Sequence, residues 1–400
     1  MKRSTDRILT SHTGALHLPT DLQEVIADEW TGNAKDPGAI DARLREAVGE
    51  VVRKQADLGV DIVNDGEFSK SSWMGYATER ISGLTFTQAD GEIDMGEAFA
   101  GQSKDQQDFA DFYVEAGNTL MFVEPAAEEA FQVAARSETA VVTGPIEYSG
   151  QEVLDRDIDN LKAALGTANV EEAFMAVVAP SSVQAWLKNE HYANDEDMLG
   201  ALAAALRHEY RAIIDAGFIV QIDDAFLPTE WDRWLAEGTG GVKKFREWAD
   251  LAVHALNDAL EGLPADRVRY HVCWGSWNGP HSTDIPLRDI VDLILKVNAQ
   301  TYSLEAANAR HEWEFRVWED VKLPDGKILM PGVIEHATNV VEHPETVAER
   351  ILRFANILGR ENVIAGTDCG MRFRAHPQVA WAKLRALSEG AQLASQRLWT

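Results

Sequence analysis

The sequence predicts an α/β protein that folds as a single (β/α)8 TIM barrel across residues 1–400. Eight or nine apolar runs that suit β-strands alternate with helical segments along the chain. The runs are continuously apolar rather than alternating, which is typical of a parallel sheet buried on both faces. Polar residues follow many of these runs at their carboxyl ends, where barrel enzymes assemble their active sites. A doubly wound open sheet is the alternative, but no Gly-x-Gly-x-x-Gly motif follows the first strand.

The composition describes a globular protein with an acidic surface. The 400 residues are 45% hydrophobic and include 12 tryptophans, which is enough to bury a large core. The formal net charge of -28 argues against partners that are nucleic acids or anionic membranes. No apolar run suits a signal peptide or a membrane helix, and two cysteines give no disulfide framework, so we expect a cytoplasmic protein. A homo-oligomer is compatible with the sequence.

The first half of the chain starts the alternation of strands and helices. A strand over Ile8–His12 leads into a tight turn at Gly14, and apolar residues at helical spacing then predict a helix over Ala39–Leu58. A long helix over about 195–216 follows later in this half. The other strand-like runs of this half are Asp61–Asn64, Thr139–Pro145, Ala173–Val178 and Phe218–Ile222.

Residues of about 87–138 interrupt this alternation. They are polar, acidic and less periodic than their surroundings, with predicted helices near 107–114 and 126–135. Because they come after the second strand, we expect an insertion carried on a strand-to-helix loop. Such an insertion serves as a lid, a rim or a subunit contact.

The second half of the chain contains four more strands, which begin near Val268, Thr301, Leu329 and Val363. Helices over about 242–260 and 287–297 precede the first two of them. The next helix begins at Pro344 and ends before Gly359, with proline at the start and glycine past the end. A helix over about 378–393 ends the alternation. We find no linker that would split the chain into two domains.

Four metal-ligating residues follow three of these strands. His271 and Cys273 project from the same face of one strand, since side chains at i and i+2 point the same way. Glu305 and Cys369 each follow another strand. Imidazole, thiolate and carboxylate are zinc ligands, so the four residues predict a zinc site. The alternative is that the cysteines are small buried hydrophobes and the polar residues form turns.

The chemistry of this ligand set favours thiol activation over hydrolysis. Two thiolates and one carboxylate place about three negative charges on a divalent ion, which makes a bound water a poor acid. A free thiol with a pKa near 8.5 is mostly protonated at pH 7, and metal binding converts it to the reactive thiolate. We therefore expect a substrate thiol at the metal.

These motifs also carry a resemblance to a known family. The chain resembles the cobalamin-independent methionine synthases, in particular their C-terminal catalytic barrel and the shorter stand-alone proteins. The resemblance runs from His12 to Gly370 and implies zinc ligands at His271, Cys273, Glu305 and Cys369. Its sharpest segments are His271-Val272-Cys273, Ser303-Leu304-Glu305 and Asp368-Cys369-Gly370.

The resemblance implies substrate-binding residues as well. Glu67 and Asp223 correspond to the carboxylates that hold the amino group of homocysteine. His12 and Gly14 belong to the first turn, which faces the substrate. His336 matches the histidine that assists proton transfer to the methyl donor.

Three departures from the family pattern leave the two substrates open. Trp186 falls where the family has a tryptophan beside the folate, yet a family arginine associated with folate is missing near Ala140. Gly14-Ala15 replaces a Gly-Ser pair, which removes a hydroxyl expected at the substrate carboxylate. The inserted segment 277–281 lengthens the spacing between Cys273 and Glu305. Folate is therefore one candidate donor among several.

Four hypotheses remain open from the sequence. The first is a zinc-dependent methyltransferase that acts on a homocysteine-like thiol, with a methyl donor that is a folate or another small molecule. The second is a relative of the epoxyalkane:coenzyme M transferases, which add a thiol to an epoxide. Coenzyme M has a sulfonate and no amino group, so it would require Arg372 or Arg374 near the metal and little from Glu67. The third is another zinc-thiol reaction with unknown substrates, and the fourth is a barrel that stores or senses zinc without catalysis.

Overall fold

The barrel consists of eight parallel strands in a computed structural model that describes residues 1–23, 37–70, 75–88, 102–117, 138–166, 168–238, 240–275 and 277–400. This confirms the predicted (β/α)8 barrel. The barrel strands are β1 Leu9–Thr10, β2 Ile62–Val63, β5 Glu172–Val178, β7 Ile219–Asp223, β8 Val268–Val272, β9 Thr301–Leu304, β10 Ile328–Ile334 and β11 Ile364–Thr367. The strand order is β1-β11-β10-β9-β8-β7-β5-β2, and a parallel bridge between Ser11 and Ile62 joins the two ends of this order.

Helices follow the barrel strands along the chain and cover the outside of the barrel. Those of the first half are α1 Pro37–Asp57, α2 Gly75–Glu79, α3 Lys104–Asp108, α4 Ala110–Ala116, α5 Gln151–Leu165, α6 Pro180–Gln184 and α7 Asp195–Asp215. Those of the second half are α8 Phe226–Glu237, α9 Gly241–Leu260, α10 Val291–Ile294, α11 Val317–Asp320, α12 Pro344–Leu358 and α13 Pro377–Leu398. Short 3-10 turns lie at Ala265–Arg267, Leu287–Asp289, Glu312–Arg316 and Arg360–Asn362.

Two apolar clusters explain why the strands are apolar along their whole length. A small cluster fills the barrel interior, and a much larger one packs between the strands and the helices. The interior also contains a buried cation, Arg269 of β8. Its guanidinium donates to Ser11 Oγ (2.9 Å) and lies 3.9 Å from the centre of the Phe174 ring. The interior side chains are Leu9, Ile62, Phe174, Ala176, Ile219, Ile328, Met330 and Ile364.

A second sheet of three strands lies outside the barrel. It consists of β3 (Leu84–Gln88), β4 (Glu138–Val142) and β6 (Leu187–Asn189), with β4 antiparallel to β3 and parallel to β6. The sequence counts Thr139–Pro145 among the nine candidate barrel strands. That assignment is wrong, because this run pairs with β3 and β6 and leaves eight strands for the barrel.

The described part of the predicted insertion docks on the loop that follows β8. The Asp105 carboxylate, at the start of α3, accepts hydrogen bonds from Tyr113 Oη (2.7 Å), Ser282 N (2.9 Å) and Ser282 Oγ (2.6 Å). The helix predicted near 107–114 is present as α3 and α4, whereas the one near 126–135 lies outside the described residues. The role of the whole insertion as a lid, a rim or a subunit contact stays a prediction. None of the helices that the structure describes has the length and apolar character of a membrane span.

Candidate metal centre

Three of the four predicted ligands meet at the carboxyl ends of β8 and β11. The donor atoms of His271, Cys273 and Cys369 all lie within 4.8 Å of one another. His271 and Cys273 are buried, and Cys369 is partly exposed. Two strands that are far apart in sequence thus bring an imidazole and two thiols to one point.

His271 has one ring nitrogen free for an external ligand. Its Nδ1 lies 3.0 Å from Ser303 Oγ on the neighbouring strand β9, which fixes the orientation of the ring. Its Nε2 is buried and has no hydrogen-bond partner within the described residues. A metal-ligating histidine commonly uses one nitrogen for such a supporting bond and the other for the metal. The arrangement fits a metal bound at Nε2.

The two thiols are hydrogen-bonded to each other. The hydrogen bond from Cys273 lowers the pKa of the Cys369 thiol well below its ordinary value, and His271 adds to this effect. The same hydrogen bond raises the pKa of Cys273 well above its ordinary value. The cluster therefore favours the thiolate form of Cys369, which a cation would stabilise further.

Glu305 lies beside this cluster but is not one of the three grouped donors. Its Oε1 accepts from Trp274 N (2.9 Å), and its Oε2 accepts from Asn308 Nδ2 (2.7 Å). Burial raises the pKa of Glu305, and the nearby Asp368 and Cys369 charges add to the increase. A buried carboxylate whose charge is disfavoured in this way gains from a cation next to it. Its role as fourth ligand remains a prediction.

Asp368 anchors the loop that carries Glu305. Its carboxylate accepts from the backbone N–H groups of Ala306 (2.8 Å), Ala307 (2.9 Å) and Asn308 (2.8 Å). A Cβ on Gly332 of β10 would lie 1.9 Å from Asp368 Oδ1, so only glycine fits there. The sequence places Asp368 at the end of a strand, but it gives no sign of this supporting role.

His336 lies near the cluster with both ring nitrogens available. The ring is buried, and neither nitrogen has a hydrogen-bond partner in the part of the chain that the structure describes. Burial lowers the pKa of His336 to about 4, although the nearby Cys369 raises it in part. The imidazole is therefore neutral at pH 7 and can accept one proton and donate another.

Four ionisable residues that sequence reasoning missed form a network beside Trp274 and Glu305, and two of them are buried and two partly buried. His281 Nδ1 lies 3.1 Å from Asp284 Oδ2, and His281 Nε2 lies 3.0 Å from the Trp277 carbonyl. His311 contacts Asp284 (3.1 Å) with one nitrogen and Glu314 (2.8 Å) with the other. All of these partners are acceptors, so each histidine donates from both nitrogens and is an imidazolium. We call His281, Asp284, His311 and Glu314 the ion quartet.

The pKa shifts within the ion quartet agree with these charges. Burial lowers the pKa of His311, but the hydrogen bonds to Asp284 and Glu314 outweigh it and raise the value to about 10. The pKa of His281 is also raised: burial opposes the shift, and Asp284 produces it. The ring of His311 packs on Trp274, with 4.4 Å between ring centres, and Trp274 directly follows the predicted ligand Cys273. Through His281, the inserted segment 277–281 thus belongs to a network that packs beside Cys273.

The first turn uses His12 and Gly14 to position Glu67. His12 Nε2 lies 2.7 Å from Gln55 Oε1, and His12 Nδ1 accepts from Gly14 N (3.2 Å). Both nitrogens of His12 are therefore occupied inside the protein. Gly14 has φ +132, and a Cβ there would lie 2.2 Å from Glu67 Oε1. Glycine is required both for the backbone conformation and for the close approach of the Glu67 carboxylate.

Glu67 and Asp223 lie at this side of the barrel mouth and have internal partners. Glu67 Oε2 accepts from the Lys70 ammonium at 3.3 Å, and Lys70 also donates to the Ala176 carbonyl. Asp223 Oδ1 accepts from Gln221 Nε2 at 2.7 Å. Burial raises the pKa of Asp223 to about 8, while the nearby His271 lowers it in part. The structure brings Asp223 close enough to His271 and Glu67 for each to influence its charge.

Trp186 lies apart from the buried groups. It follows α6, its side chain is 47% exposed, and its ring meets the edge of Phe226 with 5.9 Å between centres. It makes no described contact with the metal cluster. A flat exposed ring can stack on a ligand, so its predicted place beside a donor stays open.

Comparison with known proteins identifies the family. The family described as "Cobalamin-independent synthase, Catalytic domain" matches residues 20–100 and 127–393. The chain belongs to this family. The match extends over most of the barrel and includes His271, Cys273, Glu305, His336 and Cys369.

Individual relatives and solved structures are distant. The chain is 23% identical to a methionine synthase of Sulfolobus acidocaldarius over 392 residues, which is 97% of this chain and 93% of the relative. It is 24% identical to a 2-hydroxypropyl-CoM lyase of Xanthobacter autotrophicus over 421 residues, or 98% and 96% of the two chains. A B12-independent methionine synthase from Shewanella sp. W3-18-1, solved with selenomethionine, has the same fold, with a TM-score of 0.72, 20% identity and coverage of 98% and 99%. The relatives of similar identity thus carry two different enzyme names.

Proposed function

We propose that this protein is a zinc-dependent transferase that moves a methyl or alkyl group to a thiol. The observation that carries the proposal is the cluster of His271, Cys273 and Cys369 donor atoms within 4.8 Å. Membership of the cobalamin-independent synthase family supports thiol methylation, with a homocysteine-like acceptor as the first candidate.

In this proposal His271, Cys273 and Cys369 hold the zinc ion with Glu305 as the fourth ligand. Bound zinc supplies a Lewis acid that keeps the acceptor sulfur as thiolate at neutral pH. Ser303 orients the His271 ring, and Asp368 holds the loop that presents Glu305. The acceptor thiolate attacks the transferred carbon, and that carbon's bond to the donor breaks.

His336 carries the proton in this proposal. The acceptor thiol releases one proton when it becomes a thiolate, and the donor's leaving group requires one when its bond to carbon breaks. A buried neutral imidazole with both nitrogens available can relay a proton to the leaving group, because one nitrogen donates while the other accepts. Over the whole reaction, the proton released when the thiol binds is balanced by the one that the leaving group takes up.

The remaining predicted residues form the substrate side. Glu67 and Asp223 face the acceptor, while His12 and Gly14 fix the turn against which Glu67 packs. Trp186 offers an exposed ring to the donor, which is a folate or another small molecule. A reducing cytoplasm suits this site because it keeps both thiols available for the metal.

A second candidate is alkyl transfer to a thiol without an amino group. Similarity to the relative named 2-hydroxypropyl-CoM lyase supports this candidate. Arg374 supports this second candidate because it lies near Cys369 and Cys273. Burial lowers the pKa of Arg374, and the charges of the two cysteines oppose that shift. A guanidinium beside the metal thiolates suits an acceptor with an acid group.

Zinc content and thiol binding test the proposal together. Mass spectrometry of the wild type and of Cys369→Ser and His271→Ala should give about one zinc per wild-type chain and little in either variant. His254→Ala, on the exposed face of α9, is the matched control and should keep its zinc. Homocysteine or 2-mercaptoethanesulfonate should then release a proton from the zinc-loaded wild type. Absence of zinc, or full zinc in Cys369→Ser, would contradict the proposed site, and zinc that ignores both thiols would favour a non-catalytic barrel.

A further inference from the structure

We infer that Arg372 binds the acid group of the acceptor, so that the acceptor is a thiol that also carries a sulfonate or a carboxylate. This inference rests on the proposed function, because it assumes that the acceptor sulfur lies at the metal. It assigns a specificity-determining role to a residue of the loop after Cys369. Four observations support it: the position of Arg372, its unmet hydrogen-bonding capacity, the neutralisation of its neighbours and the backbone that holds it.

The position of Arg372 places its guanidinium at the barrel mouth. Its backbone N–H donates to the Ala15 carbonyl (3.0 Å), in the turn that follows β1. Its side chain reaches the Lys70 carbonyl, with 3.4 Å between Nη1 and the oxygen, beyond the end of β2. The Glu67 charge influences its pKa, which shows that the guanidinium lies near that carboxylate. Arg372 therefore bridges the metal loop and the substrate side.

The guanidinium of Arg372 has few partners among the described residues: Nη1 contacts the Lys70 carbonyl, and the group lies 4.5 Å from the centre of the Phe373 ring. Its Nε is buried and has no hydrogen-bond partner in the described ranges of the chain, although the residue as a whole keeps partial solvent access. No carboxylate among the residues described lies within ion-pair distance of it. Burial lowers the pKa of Arg372 to about 10, and Glu67 opposes the shift, so the group stays charged at neutral pH. A charged group held in this way gains strongly from an anionic ligand.

The neighbouring charges cancel one another and leave Arg372 to face the ligand. The Glu67 carboxylate accepts from the Lys70 ammonium at 3.3 Å, so its charge is compensated inside the protein. The Lys70 ammonium is also fixed by the Ala176 carbonyl and by the face of the Tyr76 ring, at 4.3 Å from the ring centre. The Glu67 charge acts on Arg372 from a distance, but its ion pair is with Lys70. An acceptor that brings its own acid group would supply the missing negative charge.

The backbone of this loop is held in an uncommon conformation. Phe373 has φ +70, which is unfavourable for a bulky residue. Hydrogen bonds from Arg374 N (3.2 Å) and Ala375 N (3.3 Å) to the Met371 carbonyl close the turn. Such a conformation persists only where the surroundings impose it, and it occurs often at ligand sites. Here it fixes the direction in which Arg372 leaves the loop.

Thiol binding to the cobalt-substituted protein tests this assignment without any donor or turnover. Cobalt in a thiolate site absorbs visible light, and an additional sulfur ligand changes that spectrum. The probes are three thiols of similar size: 2-mercaptoethanesulfonate and 3-mercaptopropionate, which are anionic, and 2-mercaptoethanol, which is neutral. We expect the wild type to bind at least one anionic thiol about tenfold to a hundredfold more tightly than the neutral one. The comparison of the two anions shows whether sulfonate or carboxylate is preferred.

Variants at Arg372 separate a binding role from a structural one. Arg372→Gln should abolish the preference for the anionic thiol and leave the affinity for 2-mercaptoethanol unchanged, whereas Arg372→Lys should restore part of the preference. Arg385→Gln, on the exposed face of α13, is the matched control and should behave as the wild type. Cobalt content and circular dichroism report whether each variant keeps its fold. If Arg372→Gln does not fold, the wild-type ranking and the Arg372→Lys variant still decide the question.

The outcomes distinguish the inference from the proposed function. Equal binding of all three thiols to the wild type would overturn the role of Arg372 and leave the metal-thiol chemistry intact. An equal loss of affinity for all three thiols in Arg372→Gln would also overturn it, because that result indicates a structural effect. A cobalt spectrum that no thiol changes would instead overturn the proposed function.

Discussion

The predicted metal side of the barrel mouth (His271, Cys273, Cys369 and His336) differs from the predicted substrate side (His12, Gly14 and Glu67). The difference is in how many of the buried polar atoms have hydrogen-bond partners within the protein. On the metal side, His271 keeps an unpartnered Nε2 and His336 keeps two such nitrogens within the described residues. On the substrate side, His12 is bonded through both nitrogens and the Glu67 carboxylate is paired with Lys70. The metal side is therefore organised to receive a ligand from outside. The substrate side is mostly closed on itself.

This difference shows that residue type alone does not identify a functional atom. His12 and His271 are both buried histidines near the carboxyl ends of parallel strands, and of the two only His271 has a nitrogen left for a ligand. An unsatisfied buried nitrogen is expensive in free energy and persists where a ligand repays it. The hydrogen-bond partners of a side chain thus separate a ligand from a structural support.

The largest expected effect is the loss of zinc affinity when the proposed ligand His271 is removed, compared with removal of Ser303, which orients its ring. Removal of the ligand in His271→Ala should lower the affinity for zinc by more than about a hundredfold, because loss of an outer partner alone costs roughly 10–100-fold. Ser303→Ala, which removes only the support of Nδ1, should fall within that smaller range. Competition with a coloured chelator measures both affinities. Ser388→Ala, on α13, should leave the affinity unchanged, and an equal loss in His271→Ala and Ser303→Ala would contradict a ligand role for His271.

The second-largest expected effect is a loss of fold stability on the substrate side, caused by a substitution at Gly14. Gly14→Ala should destabilise the fold by about 2–4 kcal/mol, because the new Cβ meets Glu67 Oε1 and the backbone keeps φ +132. Gly238→Ala is the matched control, since Gly238 also has a positive φ (+66) but nothing lies within 4 Å of the added atom. It should cost only about 1 kcal/mol. Urea denaturation measures both changes, and equal losses would show that Gly14 is needed for backbone conformation alone.

A pH titration sharpens the comparison through the ion quartet, which supports only the metal side. The folded-state pKa of His311 is raised from 6.5 to about 10, so its contribution to stability is complete below pH 6.5 and is lost as the pH rises towards 10. The pKa of Asp284 is lowered, because its hydrogen bonds to the two histidines outweigh burial, so its contribution is lost only in acid, below its ordinary value of 3.8. The melting temperature of the zinc-loaded protein should therefore fall between pH 7 and pH 10.

The control for this titration removes the charge from the ion quartet. His311→Gln should have a lower melting temperature than the wild type at pH 7, with a difference that narrows at pH 10. His254→Gln, in which an exposed histidine changes, should follow the wild type at both values. A difference that stays constant over this range would rule out an imidazolium at residue 311.

The smallest expected effect concerns Trp186, which belongs to neither buried side. Because its ring is 47% exposed and meets mainly Phe226, Trp186→Ala should change stability by less than about 1 kcal/mol. If the ring stacks on the donor, the same variant should raise the KM for the donor and leave thiol binding to the metal unchanged. A large loss of stability would assign the ring to packing instead.

The sequence predicts the barrel correctly, and it also indicates which strands carry the grouped donors His271, Cys273 and Cys369, because both depend on local patterns. Continuous apolar runs are read directly, and polar residues at their ends converge once the strands close into a barrel. The partner of a strand is not a local property, so the run that starts at Thr139 could not be separated from the barrel strands. The burial of Arg269 could not be predicted for a similar reason. Its hydrogen-bond acceptor Ser11 lies at the end of the first strand, more than 250 residues away in sequence.

The supports of the site could not be predicted, because each depends on distant residues. Asp368 binds a loop some sixty residues earlier, and the two histidines of the ion quartet share one carboxylate across a turn. Lys70 follows Glu67 closely in sequence, yet only the structure shows that its ammonium turns back onto that carboxylate. Charged residues in loops are common, and their spacing does not reveal which of them become buried.

The pairing of β1 with β11 has a consequence for the order of folding. The register places Leu9 opposite Ile364, so the barrel closes only after nearly all of the chain is available. Cys369 follows the same strand and therefore reaches the metal cluster in that closing step. Contacts between residues so far apart in sequence form slowly, and the open intermediate exposes strand edges that can associate with other chains. Binding of the metal ion by all of its proposed ligands should thus come late in folding and stabilise the closed barrel. A shortage of zinc during synthesis should therefore lower the yield of folded protein more than it lowers the stability of protein that has already folded.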